Sequence, residues 1–249
     1  MTHSNRLLPV RRDGEPALLK IAVAPEEKWG AALMIWWNGI GAARVIHHDD
    51  DAVLLERATG RRSLADMAAH GKDDEASRII CNVVAWLHAS RRSPPPELVP
   101  LTDWFRALDR MASRENGMLL RSAATARTLL ATPREVVPLH GDVHHGNILD
   151  FEERVWFAID PKRLVGERGF DYANLFCNPN QTVAAARSRL ARQVNVVAEA
   201  ARFERKRLLQ WIIAWTGLSA AWSIEDGDDD RIKLTFQIAE IAAAEFDKC

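Results

Sequence analysis

The stretch LHGDVHHGNILDFEERVWFAID, residues 139–160, decides the fold. A short apolar run, Val136 to Leu139, leads into the polar loop His140-Gly141-Asp142-Val143-His144-His145-Gly146-Asn147, and a second apolar run, Val155 to Ile159, ends at Asp160-Pro161. Alternating and β-branched residues in both runs read as short strands. Asp142 and Asn147 lie five residues apart, and Asn147 and Asp160 thirteen apart with a strand between them. A loop carrying one carboxylate and one amide is thus followed by a hairpin that returns a second carboxylate.

Upstream, Leu7 to Val10 and Ala17 to Val23 are short apolar runs around Asp13-Gly14, a strong hairpin signal. Pro25-Glu26-Glu27 introduces a helix through Ala31 to Trp37, with acidic residues where a helix N-terminus favours them. Two more strands, Ala43 to His47 and Ala52 to Glu56, flank Asp49-Asp50-Asp51. The first 58 residues therefore read β-β-α-β-β. After Gly60 helical signals take over: Ser63 with Asp66 resembles a capping box, and Ile79, Ile80, Val83, Val84 and Leu87 form an apolar stripe. Pro94-Pro95-Pro96 breaks the chain, helices follow over Thr102 to Ala112 and Leu119 to Leu130, and from Gln181 the pattern stays helical apart from Glu225-Asp226-Gly227-Asp228-Asp229-Asp230.

A net charge of -1 gives no basic face for nucleic acid. No run approaches the roughly 20 apolar residues that span a bilayer, and the first residues lack a signal-peptide core. Cys81, Cys177 and Cys249 are few and widely separated, as in reduced proteins. The chain is expected to be globular and cytoplasmic.

Phosphoryl transfer from ATP needs a carboxylate that orients the acceptor hydroxyl and takes its proton, plus oxygen ligands for Mg²⁺. The 140–160 segment supplies that set. On these residues, and on PVRRDGEPALLKIA, WWNGIGAARVI, AVLLERATG, WFAIDPKRLVGERGFDYANLF and LSAAWSIEDGD, the chain resembles the kinase-like aminoglycoside and hydroxyurea phosphotransferase family, most closely its streptomycin 6-phosphotransferase branch. The resemblance implies an α+β, protein-kinase-like fold of two lobes: a small, shortened antiparallel sheet over residues 1–58 and a mainly helical lobe over 59–249. ATP and Mg²⁺ are the implied cofactors, and a cationic small molecule bearing a hydroxyl is the implied partner.

By the same resemblance Asp142 is the base, and Asn147 and Asp160 are metal ligands. Lys20 contacts the α- and β-phosphates, with Glu27, or failing that Glu26, as its helix partner. The backbone of Glu56, Arg57 and Ala58 meets the adenine, and His140 orients the loop without titrating. Asp160-Pro161-Lys162 stands where protein kinases carry Asp-Phe-Gly, which argues for a small-molecule kinase without that activation switch. Family members carry a further strand and a phosphate-covering loop ahead of this part, for which only Thr2-His3-Ser4-Asn5 could stand; the resemblance implies either a truncated start or phosphates held mainly by Lys20 and Mg²⁺.

On the substrate side, the five carboxylates of residues 225–230 would attract a cation, with Glu225 and Asp226 as contacts and Trp222 as an apolar wall. Glu167 and Asp171 are expected to add to this acidic cleft, although the family likeness makes Asp171 a loop brace. Blander readings stand beside these: a solvated helix-start turn for the acidic run, core packing for Trp222, capping for Glu27. Two alternatives of function remain: a nucleotide-binding pseudoenzyme of the same fold, and a zinc hydrolase using His140, Asp142, His144 and His145.

Overall fold

The structure, a computed structural model, describes residues 5–22, 25–49, 52–113, 117–153 and 155–249, without the side chains of residues 5, 22, 25–30 and 187. The chain opens with β1 (Asn5–Arg12), β2 (Glu15–Ala22), α1 (Pro25–Trp37), β3 (Val45–His48) and β4 (Ala52–Glu56). The strands form one antiparallel sheet in the order β1-β2-β4-β3, with the Asp13-Gly14 turn pairing Arg12 with Glu15. This is the expected β-β-α-β-β order; Val23 and the tip at Asp50-Asp51 lie outside the described residues. Because side chains alternate along a strand, Leu18 and Lys20 of β2 share a face, with Leu7 opposite Lys20 and Leu55 opposite Leu18.

Residues 57–63 carry the chain to α2 (Leu64–Ala69), whose first turn is capped by Ser63 Oγ accepting from Asp66 N at 3.2 Å. In α3 (Asp73–His88), Ile80, Val83, Val84 and Leu87 are buried, as their spacing demands. Beyond the prolines come β5 (Val99–Pro100), α4 (Leu101–Trp104), α5 (Arg106–Ala112) and α6 (Met118–Ala131). The single helix expected over 102–112 is broken at Phe105, whose ring is buried 5.8 Å from Phe170 and 6.4 Å from Trp211. That tertiary anchoring overrides a locally helical pattern.

Four strands follow: β6 (Val136–Leu139), β7 (Ile148–Asp150), β8 (Trp156–Ala158) and β9 (Leu164–Glu167). The 136–139 run pairs antiparallel with β9 in a sheet ordered β5-β9-β6, while β8 pairs with β7. The strands β5, β7 and β9, two to four residues long, add to the two expected here. The chain closes with α7 (Phe170–Ala173), a 3₁₀ turn (Asn174–Cys177), α8 (Gln181–Ala184), α9 (Arg187–Ala200), α10 (Arg205–Asp226) and α11 (Asp229–Phe246). α10 is the spine: it is buried on all sides from Arg207 to Ala221, as a helix without a polar face must be, and packs on α6 and α11.

Several contacts join the first lobe to the rest. Ala43 N donates to Ala158 O and Ala158 N to Gly41 O, both at 2.9 Å, tying β8 to the loop before β3. In the connection, Gly60 N donates to Asp150 O at 3.0 Å, and Arg62 clamps the buried Asp150 carboxylate through its own N–H and guanidinium. A Cβ at Gly60 would sit 2.1 Å from the Asp150 carboxyl carbon. Since Arg62 holds that carboxyl in place, Gly60→Ala should destabilise by about 1–3 kcal/mol, read as a lower urea midpoint. The hydrogen bonds from Arg62 hold Asp150 at about 2. A depressed carboxylate contributes stability above the ordinary value of about 3.9, lost as pH falls through the depressed one.

Candidate active site

The loop of residues 140–147 is held from beneath by Asp171 of α7. Its Oδ2 accepts from His140 N at 2.9 Å and from His88 Nε2 at 2.8 Å, and its Oδ1 accepts from Gly141 N at 2.7 Å. Gly141 takes φ 83°, and a Cβ there would meet Leu164 Cδ1 at 2.8 Å, so only glycine permits this close turn. Asp171 is 1% exposed with its oxygens spent on the loop, which removes it from the substrate cleft and makes it the brace.

His140 is fully buried and stacks on Trp37 at the end of α1, ring centroids 6.2 Å apart. Its Nε2–H donates to Ile159 O at 2.8 Å, and its Nδ1 accepts from Asp142 N at 3.2 Å. One nitrogen donating and the other accepting is the neutral tautomer. Burial pushes the imidazole below its ordinary value despite the pull of Asp171, Asp142 and Asp160, in agreement with that tautomer. His140 therefore links the loop to the β8 end without carrying a charge.

Hydrogen bonds join Asn147 to Asp142 and tie the Asn147 backbone to Ile159, the residue before Asp160. Asn147 Nδ2 donates to Asp142 O at 2.9 Å and to Asp142 Oδ2 at 3.3 Å, and Ile159 N donates to Asn147 O at 2.9 Å. Asp160 follows Ile159 directly, at a left-handed φ of 64°. An aspartate tolerates that conformation better than most residues, at some cost in strain. Its Oδ1 accepts from Lys20 Nζ across the gap between the first sheet and the hairpin. Burial alone would push Asp160 upward, but the Lys20 charge and hydrogen bond outweigh it and keep the carboxylate ionised. The Asp142 side chain stays about one-third open to solvent.

Lys20 and Asp160 stand at the edge of a pocket enclosing about 600 Å³ including its mouth, whose walls are Leu7, Leu18, Met34, Leu55, Leu149 and Phe151, with Glu56 and Ala58 at the connection. Such a shape, apolar with a few charged groups at one end, suits a flat heteroaromatic base with a polyanionic tail. Leu149 and Phe151 reach it because β7 alternates: Ile148 and Asp150 point inward, their neighbours into the pocket. Glu56 and Ala58 line this pocket, and Arg57 is not among its wall residues. Glu26 and Glu27 fall in the first turn of α1, and their side chains lie outside the described residues.

The other expected contact residues take varied settings. Glu167 is 1% exposed, on β9, and accepts from Arg207 at 2.6 and 2.9 Å, from Trp211 Nε1 at 2.8 Å and from Arg134 N at 2.9 Å. It is a core anchor and not part of an acidic cleft. Trp222 packs edge-on against Trp104 at 5.5 Å, half-buried, and Glu225 pairs with Arg110 at 3.4 Å. The acidic run is the expected helix junction: Asp226 ends α10, Gly227 is its left-handed cap, and Asp228 accepts from Arg231 N at 3.0 Å to start α11.

The histidines do not assemble a zinc site. His140 spends both nitrogens, His144 Nδ1 accepts from Gly146 N at 3.0 Å, and His145 is buried with burial driving it down to about 3. Among the described residues, no three His, Cys, Asp or Glu side chains converge on one point. Two residues the sequence reading missed are Asn174, whose Nδ2 donates to Asp142 Oδ1 at 2.8 Å, and Asn178 behind it. Their signal, two asparagines four apart just after the hairpin, is too common to single out.

Comparison with known proteins gives concordant matches. The family model for aminoglycoside/hydroxyurea antibiotic resistance kinases matches residues 1–227. A streptomycin 3''-kinase of Klebsiella pneumoniae is 53% identical over 248 residues, covering 98% of this chain and 93% of that protein. A streptomycin 6-kinase of Streptomyces griseus is 33% identical, covering 89% and 75%. Among solved structures, a thermostable mutant of an aminoglycoside phosphotransferase, in ternary complex with AMP-PNP and hygromycin B, superposes with a TM-score of 0.67 over 98% of this chain and 91% of its own, at 13% identity. Among the described residues, no helix is long and apolar enough to cross a membrane.

Proposed function

Because the chain belongs to the aminoglycoside/hydroxyurea antibiotic resistance kinase family, we propose that it inactivates streptomycin by moving the γ-phosphoryl group of ATP onto the drug's 3''-hydroxyl. The observation that supports the chemistry is a pair of neighbouring contacts, Asn147 bonded to Asp142 in the loop and Asp160 paired with Lys20 in the wall of one pocket, linked through the hydrogen bond from Ile159 N to Asn147 O. The position of attack follows the 53% identity to a 3''-kinase, against 33% to a 6-kinase.

In this reading the adenine lies between Leu18, Leu55, Leu149 and Phe151. Lys20 leaves Asp160 to take the phosphates. Asp142 accepts the proton of the drug's hydroxyl as its oxygen bonds to the γ-phosphorus and the bond to the β-phosphate oxygen breaks, releasing ADP. The donor set fits a hard cation: Asn147 uses its amide N–H on Asp142, which turns its carbonyl oxygen away, and Asp160 stays ionised. Asn147 and Asp160 would hold Mg²⁺, which when bound neutralises phosphate charge. The exposed carboxylates at the α10–α11 junction would draw in the guanidinium-bearing drug.

ADP release measured with streptomycin, other aminoglycosides, hydroxyurea and choline tests the substrate, and phosphorus-coupled NMR of the product tests the position. Streptomycin-dependent turnover with phosphate on the 3'' oxygen is expected; release of ADP with none of these acceptors would favour a nucleotide-binding remnant. Asp160→Asn should raise the Mg²⁺ concentration for half-maximal rate by about tenfold or more while shifting the melting midpoint little. An unaltered Mg²⁺ titration would remove Asp160 from the ligand set.

A further inference from the structure

We propose that Asn174 and Asn178 are positioning residues that lock the Asp142 carboxylate in its reactive orientation, a role that rests on reading Asp142 as the base. Asn178 Nδ2 donates to the backbone carbonyl of Asn174 at 3.0 Å and to Asn174 Oδ1 at 2.9 Å. Asn174 Nδ2 then donates to Asp142 Oδ1 at 2.8 Å, while Asn147 Nδ2 lies 3.3 Å from Asp142 Oδ2.

The order of this chain is set by chemistry. A backbone carbonyl only accepts, so Asn178 must turn its NH₂ toward Asn174. The Asn174 amide must then present its oxygen to Asn178, because the reverse would set two NH₂ groups face to face. With its oxygen so placed, Asn174 has its NH₂ on the other side, aimed at Asp142. A flipped Asn174 would oppose its carbonyl oxygen to the carboxylate, so Asn178 acts as the latch on the orientation.

The consequence concerns an otherwise loose torsion. The terminal torsion of an aspartate is broad, and the Asp142 side chain is about one-third exposed, so packing alone does not hold the carboxylate plane. One donor on each oxygen does. A base that must meet a hydroxyl in line with the γ-phosphorus gains from this, since small misplacements are costly in rate. Asn174 is 4% exposed, behind the carboxylate relative to solvent, so it reaches the reaction only through Asp142.

The test measures kcat, both KM values and the melting midpoint for Asn174→Leu, Asn178→Ala, the double variant and Asp142→Asn. Asn174→Leu is nearly isosteric and leaves Asn178 its backbone acceptor, so the fold should persist. It is expected to lower kcat about a hundredfold, and Asn178→Ala about tenfold, with KM values kept within about twofold. Adding Asn178→Ala to Asn174→Leu should change nothing further, because the latch has nothing left to hold. A kcat for Asn174→Leu within about twofold of the parent, effects that multiply in the double variant, or an unaffected Asn178→Ala would each overturn the proposal. Should Asn174→Leu fail to fold, Asn178→Ala, which does not touch Asp142, decides alone. If Asp142→Asn turns over like the parent, the base assignment falls; if it is silent while Asn174→Leu is normal, only the positioning role falls.

Discussion

Asp142→Ala is expected to lower kcat by about 10³-fold or more while the protein melts within a few degrees of the parent. Among the described residues, Asn174 Nδ2 donates to one oxygen of this side chain and Asn147 Nδ2 to the other, with His144 Nε2 3.9 Å from Oδ1. Its removal leaves Asn147 bonded to the Asp142 backbone carbonyl, and no charge is stranded in the core. In the proposed reading nucleotide affinity rests on Lys20 and the apolar walls, so it should change little. ADP release under saturating substrates, with calorimetric melting alongside, checks both halves. Turnover within about tenfold of the parent would end the assignment of Asp142 as base.

Glu167→Ala should do the opposite, lowering stability by about 3–5 kcal/mol and leaving kcat nearly unchanged at temperatures well below the melting point. Glu167 joins three elements: β9 carries it, Arg207 and Trp211 reach it from α10, and Arg134 N follows α6. Arg207 also donates to the carbonyl of Thr132 at 2.6 Å, closing the end of α6. With Glu167 truncated, the Arg207 guanidinium, 5% exposed, becomes a buried charge without its counter-ion. For a chain of this size that is a fall of about 10 °C or more. A rise in KM for the drug with unaltered melting would return Glu167 to the substrate cleft.

The same pair sets an acid limit. Burial by itself would push Glu167 up, but hydrogen bonds from Arg207, Trp211 and Arg134 hold it below its ordinary value. A group depressed in the folded state stabilises above its unfolded value of about 4.3, and that contribution fades as pH falls through the lower folded one. Stability measured in acid should therefore decline below about pH 4, and Glu167→Gln should flatten that part of the curve.

The likeness extends to both a streptomycin 3''-kinase, at 53% identity, and a streptomycin 6-kinase, at 33%, and the proposed 3'' acceptor rests on that difference. Local motifs report the shared chemistry of phosphoryl transfer, which both branches perform with one loop. Which hydroxyl meets Asp142 depends on side chains scattered over the substrate face, and no single spacing records them.

Taken alone, the order of residues determined the β-β-α-β-β opening, the turn at Asp13-Gly14, the cap at Ser63 and the closeness of Asn147 to Asp142, because each depends on contacts within a few residues or on one hairpin. The tertiary structure alone decided that Phe105 breaks a helix, that 136–139 pairs with 164–167, that Glu167 is a core anchor, and that Asn174 reaches Asp142 across 32 positions of chain. A carboxylate written in a sequence carries no mark of the donors it will meet. Whether it serves the solvent, the core or a substrate is settled only when distant elements pack and water is either left at its oxygens or replaced.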